Sequence, residues 1–264
     1  MSDRVLIERL EGGIADVRLN RADKRNALDK AMFDALIAAG EELGADKSVR
    51  AVVLSGEGPS FCAGLDFASF MATNSIPQML SRTEASIANY AQRAVWVWTE
   101  VAAPVIAAVH GHAYGGGLQL MMGADIRFVT PTAKLSIREI QWGLVPDMTG
   151  TQTLRHVLRL DVLKELTWTG RVVLGIDAQP LGLATHVCAD PKADALALAK
   201  EIAGNSPDAI RGAKQLFHAT GVVGNEEGLL LEENAQRPLL GSRNQMEAAA
   251  ANMGKRPPNF ADPE

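Results

Sequence analysis

The 264-residue sequence has few cysteines, few aromatic residues and no long apolar run. Its two cysteines, Cys62 and Cys188, indicate neither a disulfide framework nor a cysteine-based metal site. The five histidines are scattered, and His110 and His112 are followed by no carboxylate or thiol at metal-ligand spacing. We therefore expect no metal site.

Charge and hydropathy argue against two further classes of protein. The net charge is -5 and no basic face dominates, which argues against broad nucleic-acid binding. No apolar run approaches the length of a membrane span, and the first residues, MSDRVLIERLEGG, lack the profile of a signal peptide. We expect a cytoplasmic protein that binds neither nucleic acid nor membrane, although a few local basic residues can still hold one phosphate group.

Short apolar runs alternate with Gly-rich segments and amphipathic helices through the first two thirds of the chain. Ala51–Leu54 and Pro104–Val109 are continuously apolar, as strands buried on both faces of a parallel sheet are. Apolar residues at helical spacing predict helices over 29–42 and 87–98. A further strand is predicted at Ile126–Val129. This repeated order predicts an α/β fold with mostly parallel strands.

The two ends of the chain differ from this middle part. Val5–Leu10 and Ile14–Leu19 are separated by Glu-Gly-Gly, which predicts a β-hairpin. After about residue 190 only helical patterns occur, and they predict helices over 193–204, 207–219, 228–240 and 243–253. We expect residues 1–190 to form the core with the ligand site, and residues 191–264 to form a helical layer against the core or another subunit.

Two Gly-rich segments follow two of the buried strands, namely Cys62–Asp66 (CAGLD) and Gly111–Gly117 (GHAYGGG), the second leading into a helix predicted over 118–123. Ligands of α/β folds bind at the carboxyl ends of strands, where glycine admits a ligand to free backbone N–H donors. A pair of such donors can hold a developing oxyanion. The alternative is that the glycines only serve tight turns. Neither a G-x-G-x-x-G nor a G-x-x-x-x-G-K-[ST] pattern is present, so no nucleotide phosphate loop is predicted.

Five segments in order along nearly the whole chain resemble the crotonase superfamily, that is, the enoyl-CoA hydratases and isomerases. They are Lys24–Leu28 (KRNAL), Gly58–Asp66 (GPSFCAGLD), Pro104–Gly117 (PVIAAVHGHAYGGG), Ala124–Arg127 (ADIR) and Glu139–Gln152 (EIQWGLVPDMTGTQ). Each segment alone is a weak signal, but five in order are specific. The resemblance implies a ClpP/crotonase-like spiral of ββα units with a C-terminal helical oligomerisation region, and hence a homotrimer or a dimer of trimers.

The resemblance also implies the site residues and the ligand, an acyl-CoA thioester. The backbone N–H groups of Leu65 and Gly116 would form the oxyanion hole for the thioester carbonyl. Coenzyme A is part of this substrate, so no separate cofactor is expected. The residues implied in CoA or substrate binding are Lys24, Arg25, Ala27, Ala63, Gly64, Asp66, Phe67, Gly115 and Trp142. From the residues alone, Lys24 and Arg25 would be a solvated loop, and Asp66 would brace a loop.

The carboxylates near the site decide which reaction follows. In the hydratases of this family two glutamates act on a water molecule, and the motif register places them at positions 119 and 139. This sequence has Gln119 and Glu139. Gln119 can hydrogen-bond a water but cannot exchange a proton at neutral pH. A single carboxylate can still move a proton between two carbons, as the related Δ3–Δ2 enoyl-CoA isomerases require.

Asp147 supplies a second carboxylate, eight residues after Glu139. The related dienoyl-CoA isomerases carry Asp at this position, but they also carry Asp where this sequence has Gln119. Desolvation of two carboxyl groups in one cavity would raise both pKa values, so that one can stay protonated as an acid. The alternative is that Asp147 is a turn residue or caps a helix predicted from Thr151.

Three functions remain open. We favour double-bond isomerisation of an enoyl- or dienoyl-CoA, with Glu139 as base and Asp147 as acid, in fatty-acid metabolism. The second is an enoyl-CoA hydratase in which Glu139 activates a water that Gln119 orients. The third, a non-catalytic acyl-CoA-binding subunit, has only Gln119 in its support.

The acyl group is not identified by the sequence. The segment Phe67–Thr83 is where enzymes of this family vary most, so we expect chain length to be selected there. Four apolar residues could line an acyl tunnel or simply pack in the core: Phe70, Met71, Met79 and Trp142.

Overall fold

The computed structural model describes residues 4–72, 76–84 and 86–263. Residues 73–75, within the segment expected to select chain length, lie outside this description. The strands are β1 (Val5–Leu10), β2 (Ile14–Leu19), β3 (Ala51–Gly56), β4 (Val105–Val109), β5 (His112–Tyr114), β6 (Ile126–Val129), β7 (Lys134–Ser136), β8 (Val173–Leu174) and β9 (His186–Val187). The helices are α1 (Lys30–Ala45), α2 (Phe67–Ala72), α3 (Tyr90–Glu100), α4 (Gly116–Met122), α5 (Gly150–Thr153), α6 (Leu160–Thr169), α7 (Gly175–Ala178), α8 (Pro191–Ala203), α9 (Pro207–Thr220), α10 (Asn225–Gln236) and α11 (Arg243–Met253).

These strands form two sheets. The larger has the order β1-β2-β3-β4-β6-β9; β1 and β2 are antiparallel, as the predicted hairpin requires, and the other neighbours are parallel. The smaller has the order β5-β7-β8, with β5 parallel to β7 and β8 antiparallel to it. The predicted α/β class with mostly parallel strands is confirmed.

Strand β4 and the first four residues of β3 are entirely apolar because helices cover both faces of the larger sheet. Val52 and Leu54 of β3 belong to the main core, which also contains Phe33 of α1 and Trp98 of α3. The alternate residue Val53 belongs to a second cluster with residues of α8. Successive side chains of a strand point to opposite faces of the sheet. A strand that is covered on both faces therefore has no position that faces solvent.

Side-chain caps fix where the two helices over the main core begin. Asp29 Oδ1 accepts a hydrogen bond from the Met32 N–H at 2.9 Å, and α1 starts at the next residue, Lys30. Asn89 and Gln92 form a reciprocal capping box at the start of α3, with both hydrogen bonds at 2.9 Å. The prediction placed the start of this helix at residue 87, ahead of the cap.

The second Gly-rich segment contains regular structure that the sequence did not predict. It contains β5, which pairs with β7, and α4 begins at Gly116, two residues earlier than predicted. A strand of three residues is too short to show an alternating pattern, so only its pairing partner reveals it. Among the helices of the described residues, none is long and apolar enough to cross a membrane.

Candidate active site

The two Gly-rich segments lie side by side. The Cys62 N–H donates to the His112 carbonyl at 2.9 Å, and the Tyr114 N–H donates to the Cys62 carbonyl at 3.1 Å. A Cβ atom placed on Gly64 would lie 2.5 Å from the Tyr114 carbonyl oxygen and 3.8 Å from the Gly116 nitrogen. A side chain at position 64 would therefore separate the segments, and glycine lets them meet.

This contact brings the backbone N–H groups of Leu65 and Gly116 to one place. On either side of Leu65, the Gly64 carbonyl accepts from the Leu28 N–H at 2.8 Å and the Asp66 N–H donates to the Leu28 carbonyl at 3.0 Å. Gly116 opens α4, where an N–H has no intrahelical acceptor. Within the described chain, neither Leu65 nor Gly116 donates its N–H to another backbone group. Both donors are thus available, as the oxyanion-hole prediction requires.

Glu139 lies against Gly115, the residue before the Gly116 donor. Gly115 has φ 51° and ψ -122°, a conformation suited to glycine, and a Cβ there would lie 3.3 Å from Glu139 Oε1. Glu139 itself is buried at the start of the short 3₁₀ turn Glu139–Trp142 that follows β7. The predicted base and the predicted oxyanion donors therefore share one site.

Burial raises the pKa of the Glu139 carboxyl, and the nearby Asp147 carboxylate raises it further. A hydrogen bond from Gln119 Nε2 to Glu139 Oε1, at 2.6 Å, opposes this rise, as do the neighbouring backbone N–H groups. Gln119 lies on α4, one turn after Gly116, and is fully buried. The three residues predicted for acid–base chemistry thus act on one another.

Asp147 lies in the turn before α5 but does not cap that helix, so of the two alternative roles the turn is confirmed and the helix cap is wrong. Helix α5 starts at Gly150 after Thr149, and no side chain caps it. Asp147 lies at an exposed position, yet the atoms packed around its carboxyl raise its pKa by desolvation. A carboxyl group with a raised pKa beside a buried glutamate can hold a proton at a pH where an ordinary aspartate has lost it.

The predicted CoA segment is fixed to the site by Asn26, which sequence reasoning missed as a functional residue. Asn26 is fully buried, and its Nδ2 donates to the carbonyls of Glu57 at 2.9 Å and Ser60 at 2.8 Å. Its neighbour Arg25 accepts at its carbonyl from the Ala63 N–H at 2.9 Å. The KRNAL motif contained this signal, because asparagine side chains in loops commonly hydrogen-bond backbone groups.

The other predicted binding residues fall into two groups. The side chains of Lys24 and Arg25 are exposed and can meet an anion. Asp66 instead faces the protein: it pairs with Arg21 at 2.8 Å and accepts from the Ser69 N–H at 3.0 Å. Desolvation acts to raise the pKa of Asp66, but the hydrogen bonds from Ser69 and Arg21 outweigh it and lower that pKa. Asp66 therefore braces the segment Cys62–Asp66, which contains the predicted donor Leu65.

An aromatic pair joins two parts of the site. The rings of Phe67 and Trp142 stack with centroids 4.4 Å apart, although Trp142 remains 61% exposed. Phe70 is fully buried and packs edge-to-face on Phe33, so it belongs to the core rather than to an acyl tunnel. Met71 is exposed.

No cluster of three or more His, Cys, Asp or Glu side chains suited to a metal ion occurs in the part of the chain that the structure describes. The polar groups of the site are backbone N–H donors, one amide and two carboxyl groups. Such a set stabilises an oxyanion and moves protons.

The chain is similar to known proteins over nearly its whole length. The chain is 32% identical to methylglutaconyl-CoA hydratase of Mus musculus, over 96% of this chain and 81% of that protein. It is 34% identical to the Δ(3,5)-Δ(2,4)-dienoyl-CoA isomerase of the same organism, over 76% of this chain and 64% of that protein. The crystal structure of an enoyl-CoA hydratase from Bacillus anthracis superposes with a TM-score of 0.88 at 26% identity, covering 97% of this chain and 98% of that one.

The structural likeness confirms the predicted crotonase-like fold. The family model for enoyl-CoA hydratase/isomerase matches residues 9–263, nearly the whole chain. The chain therefore belongs to the enoyl-CoA hydratase/isomerase family.

Proposed function

We propose that this enzyme moves a double bond in an enoyl- or dienoyl-CoA by proton transfer, with Glu139 as base and Asp147 as acid partner. The observation that carries the proposal is the coupling of these two carboxyl groups: burial raises both pKa values, and Asp147 adds to the rise at Glu139. Gln119, at the position of a second hydratase glutamate, supports it because an amide exchanges no proton at neutral pH.

The thioester carbonyl would accept hydrogen bonds from the Leu65 and Gly116 N–H groups. Each donor contributes on the order of 3 kcal/mol to an oxyanion that develops between them. Glu139 removes a proton from the carbon chain to give the enolate, and the raised pKa makes it a stronger base. Asp147, protonated, returns a proton at a more distant carbon, and the double bond moves. Lys24 and Arg25 would lie near the phosphates of the CoA portion.

The second candidate is hydration of a 2-enoyl-CoA, and the hydratases among the relatives favour it. In that reaction Glu139 would activate a water, and the N–H of Gln119 that Glu139 does not use would orient it. Gln119→Glu would then restore a second acid–base group and raise the rate of hydration.

Ultraviolet spectroscopy separates these candidates, because isomerisation and hydration change the conjugation of the thioester differently. We expect the enzyme to convert both a 3-enoyl-CoA and a 3,5-dienoyl-CoA. Asp147→Asn should slow the dienoyl reaction by about 100-fold or more, since it removes one of two acid–base groups. The 3-enoyl reaction, for which one carboxylate suffices, should slow by less than about tenfold.

Other outcomes decide against the proposal. Hydration of crotonyl-CoA with no isomerisation of either substrate would establish the hydratase. Tight binding of acyl-CoA esters without any turnover would leave a non-catalytic binding protein. As a matched control, Asp177→Asn alters an exposed aspartate of α7 and should change neither rate.

A further inference from the structure

Gln119 uses both ends of its side chain inside the protein. Its Nε2 donates to Glu139 Oε1 at 2.6 Å, and its Oε1 accepts from the Met148 N–H at 2.8 Å and the Gly150 N–H at 3.0 Å. All of these groups are buried. One amide thus joins the helix after the oxyanion hole to the base and to the turn that follows Asp147.

The turn held in this way is strained. Thr149, between the two N–H donors, has φ 74°, which is unfavourable for a β-branched residue. Its Oγ1 is buried and has no hydrogen-bond partner among the described residues. A Cβ on Gly150 would lie 2.8 Å from Gln119 Oε1, so only glycine lets the amide reach both N–H groups. Strain of this kind persists only where surrounding contacts enforce it.

The same amide distinguishes the two oxygens of Glu139. Oε1 accepts the hydrogen bond from Gln119, whereas Oε2 is buried and accepts no hydrogen bond of ordinary geometry from any described residue. The backbone N–H groups that lower the pKa of this carboxyl make no hydrogen bond of ordinary geometry to Oε2, so Oε2 is the less satisfied of the two buried oxygens. Oε2 is therefore the oxygen left to take the proton.

We infer that Gln119 is a positioning residue that holds Glu139 by Oε1, directs Oε2 to the substrate, and fixes the turn that carries Asp147. Gln119 does not itself exchange a proton or activate water. The inference rests on the proposed function in taking Glu139 as the base. It deepens that function, because one side chain sets the relative placement of both carboxyl groups.

Two substitutions separate the two contacts. Gln119→Met keeps the length of the side chain but removes the donor and the acceptor. Gln119→Glu keeps an acceptor for the Met148 and Gly150 N–H groups, yet it replaces the donor that faces Glu139 with a carboxylate. Gln152→Met, at an exposed glutamine just beyond the turn, is the matched control.

Carbon-13 NMR of glutamate-labelled protein follows the Glu139 carboxyl, which the spectrum of Glu139→Gln identifies. Asp147 is the charged side chain that acts on this carboxyl, and it is retained in every variant. We expect the pKa of Glu139 to rise in Gln119→Met, which loses a donor to the charged form, and in Gln119→Glu, where two carboxylates face each other. Gln152→Met should leave it unchanged.

Amide hydrogen exchange reports on the turn. Exchange at Met148 and Gly150 should be faster in Gln119→Met, because both N–H groups lose their acceptor, and near the wild-type rate in Gln119→Glu. Where the enzyme isomerises a substrate, both variants should lower kcat by about 10- to 100-fold with little change in KM, since a displaced base affects the chemical step.

The results distinguish this inference from the proposed function. An unchanged Glu139 pKa in both variants, or unchanged exchange in Gln119→Met, would overturn the role of Gln119 even if the wild-type enzyme isomerises its substrates. A wild-type enzyme that isomerises nothing would overturn the proposed function. The positioning role would still be upheld if the Glu139 pKa and the amide exchange rates change as expected. If Gln119→Met does not fold, the Glu139 pKa in Gln119→Glu alone decides.

Discussion

At the scale of single residues, Glu139 combines burial with the need to ionise. Burial raises its pKa above the ordinary glutamate value, so the native state binds a proton more tightly than the unfolded chain does. Glu139 therefore favours folding at low pH, and this contribution is lost as the pH rises through the native pKa. At neutral pH the ionised carboxylate destabilises the fold, while the proposed role of Glu139 as base requires that same ionised form.

Glu139→Gln should consequently lose activity and gain stability. The amide oxygen of glutamine can still accept from Gln119 Nε2, but no base remains, so kcat should fall by about 100-fold or more. At pH 7.5 we expect a stabilisation of about 1 kcal/mol, or a rise of roughly 2–4 °C in Tm, because no charge is buried. Below about pH 4 the difference should vanish, since Glu139 is then neutral in both states.

Thermal unfolding between pH 4 and pH 8 measures this difference. Glu11→Gln is the control, because Glu11 is exposed and its neutralisation should hardly change Tm. A Tm of Glu139→Gln below that of the wild type at pH 7.5 would contradict a destabilising buried charge.

The motif predicted which residues would approach a thioester, but not how their side chains are held. Three of these residues have fixed positions within the family-like segments, and those segments can be read from the sequence: Leu65, Gly116 and Glu139. The contacts of Gln119 with Glu139 and with the turn around Thr149 depend on how α4 packs against that turn. No spacing rule describes such packing, and so the sequence predicted Gln119 only as a weak substitute for a glutamate.

At the scale of elements, several long helices were predicted well, but α6 was missed and α10 (Asn225–Gln236) begins three residues before the predicted helix over 228–240. The helices over 207–219 and 243–253 were predicted to within one residue, because their apolar positions repeat over several turns. Strands β5, β8 and β9 have two or three residues and form only because a neighbouring strand offers hydrogen bonds. These short strands therefore depend on tertiary contacts and cannot be predicted from local sequence.

One buried ion pair ties helix α9 to the sheet. Lys214 Nζ lies 2.8 Å from Asp125 Oδ2 and donates to the Ala103 carbonyl at 3.1 Å, and the Val105 N–H donates to the same carboxylate at 2.7 Å. Burial lowers the pKa of Lys214 despite its partner. Burial acts to raise the pKa of Asp125, but His218, Lys214 and Val105 outweigh it and lower that pKa. The attraction within the pair opposes the burial of both groups, so each charge depends on the other.

Lys214→Met should destabilise the protein by about 3 kcal/mol, because it leaves Asp125 as a charge without its main partner. Adding Asp125→Asn to Lys214→Met should recover part of the loss. Lys30→Met is the matched control: Lys30 pairs with Asp34 at 2.8 Å on the exposed face of α1, and such pairs contribute only about 0.3–0.5 kcal/mol. Denaturant unfolding measures all three variants, and equal losses for the two lysines would argue against the anchoring role.

At the scale of the whole molecule, many large apolar side chains are exposed on the described part of the single chain. Several of these side chains lie on or near the C-terminal helices. These helices belong to residues 191–264, the region predicted to mediate assembly. Those exposed in the single chain include Phe217, Val222, Leu229, Leu230, Leu240, Met246 and Met253. Contiguous apolar surface on a folded protein marks an interaction site.

We expect these helices to bring copies of the chain together as a homotrimer or a dimer of trimers. Light scattering coupled to size-exclusion chromatography measures the mass directly.

The double variant Leu229→Glu/Leu230→Glu places two charges on α10, at side chains 65% and 55% exposed in the single chain. Burying unpaired charges in an interface is strongly unfavourable, so this variant should elute as a monomer. Gln179→Glu/Asn205→Glu adds the same charge at two exposed polar positions and should keep the wild-type mass. A wild-type chain that is monomeric at all concentrations would show that the apolar residues of α10 serve another partner.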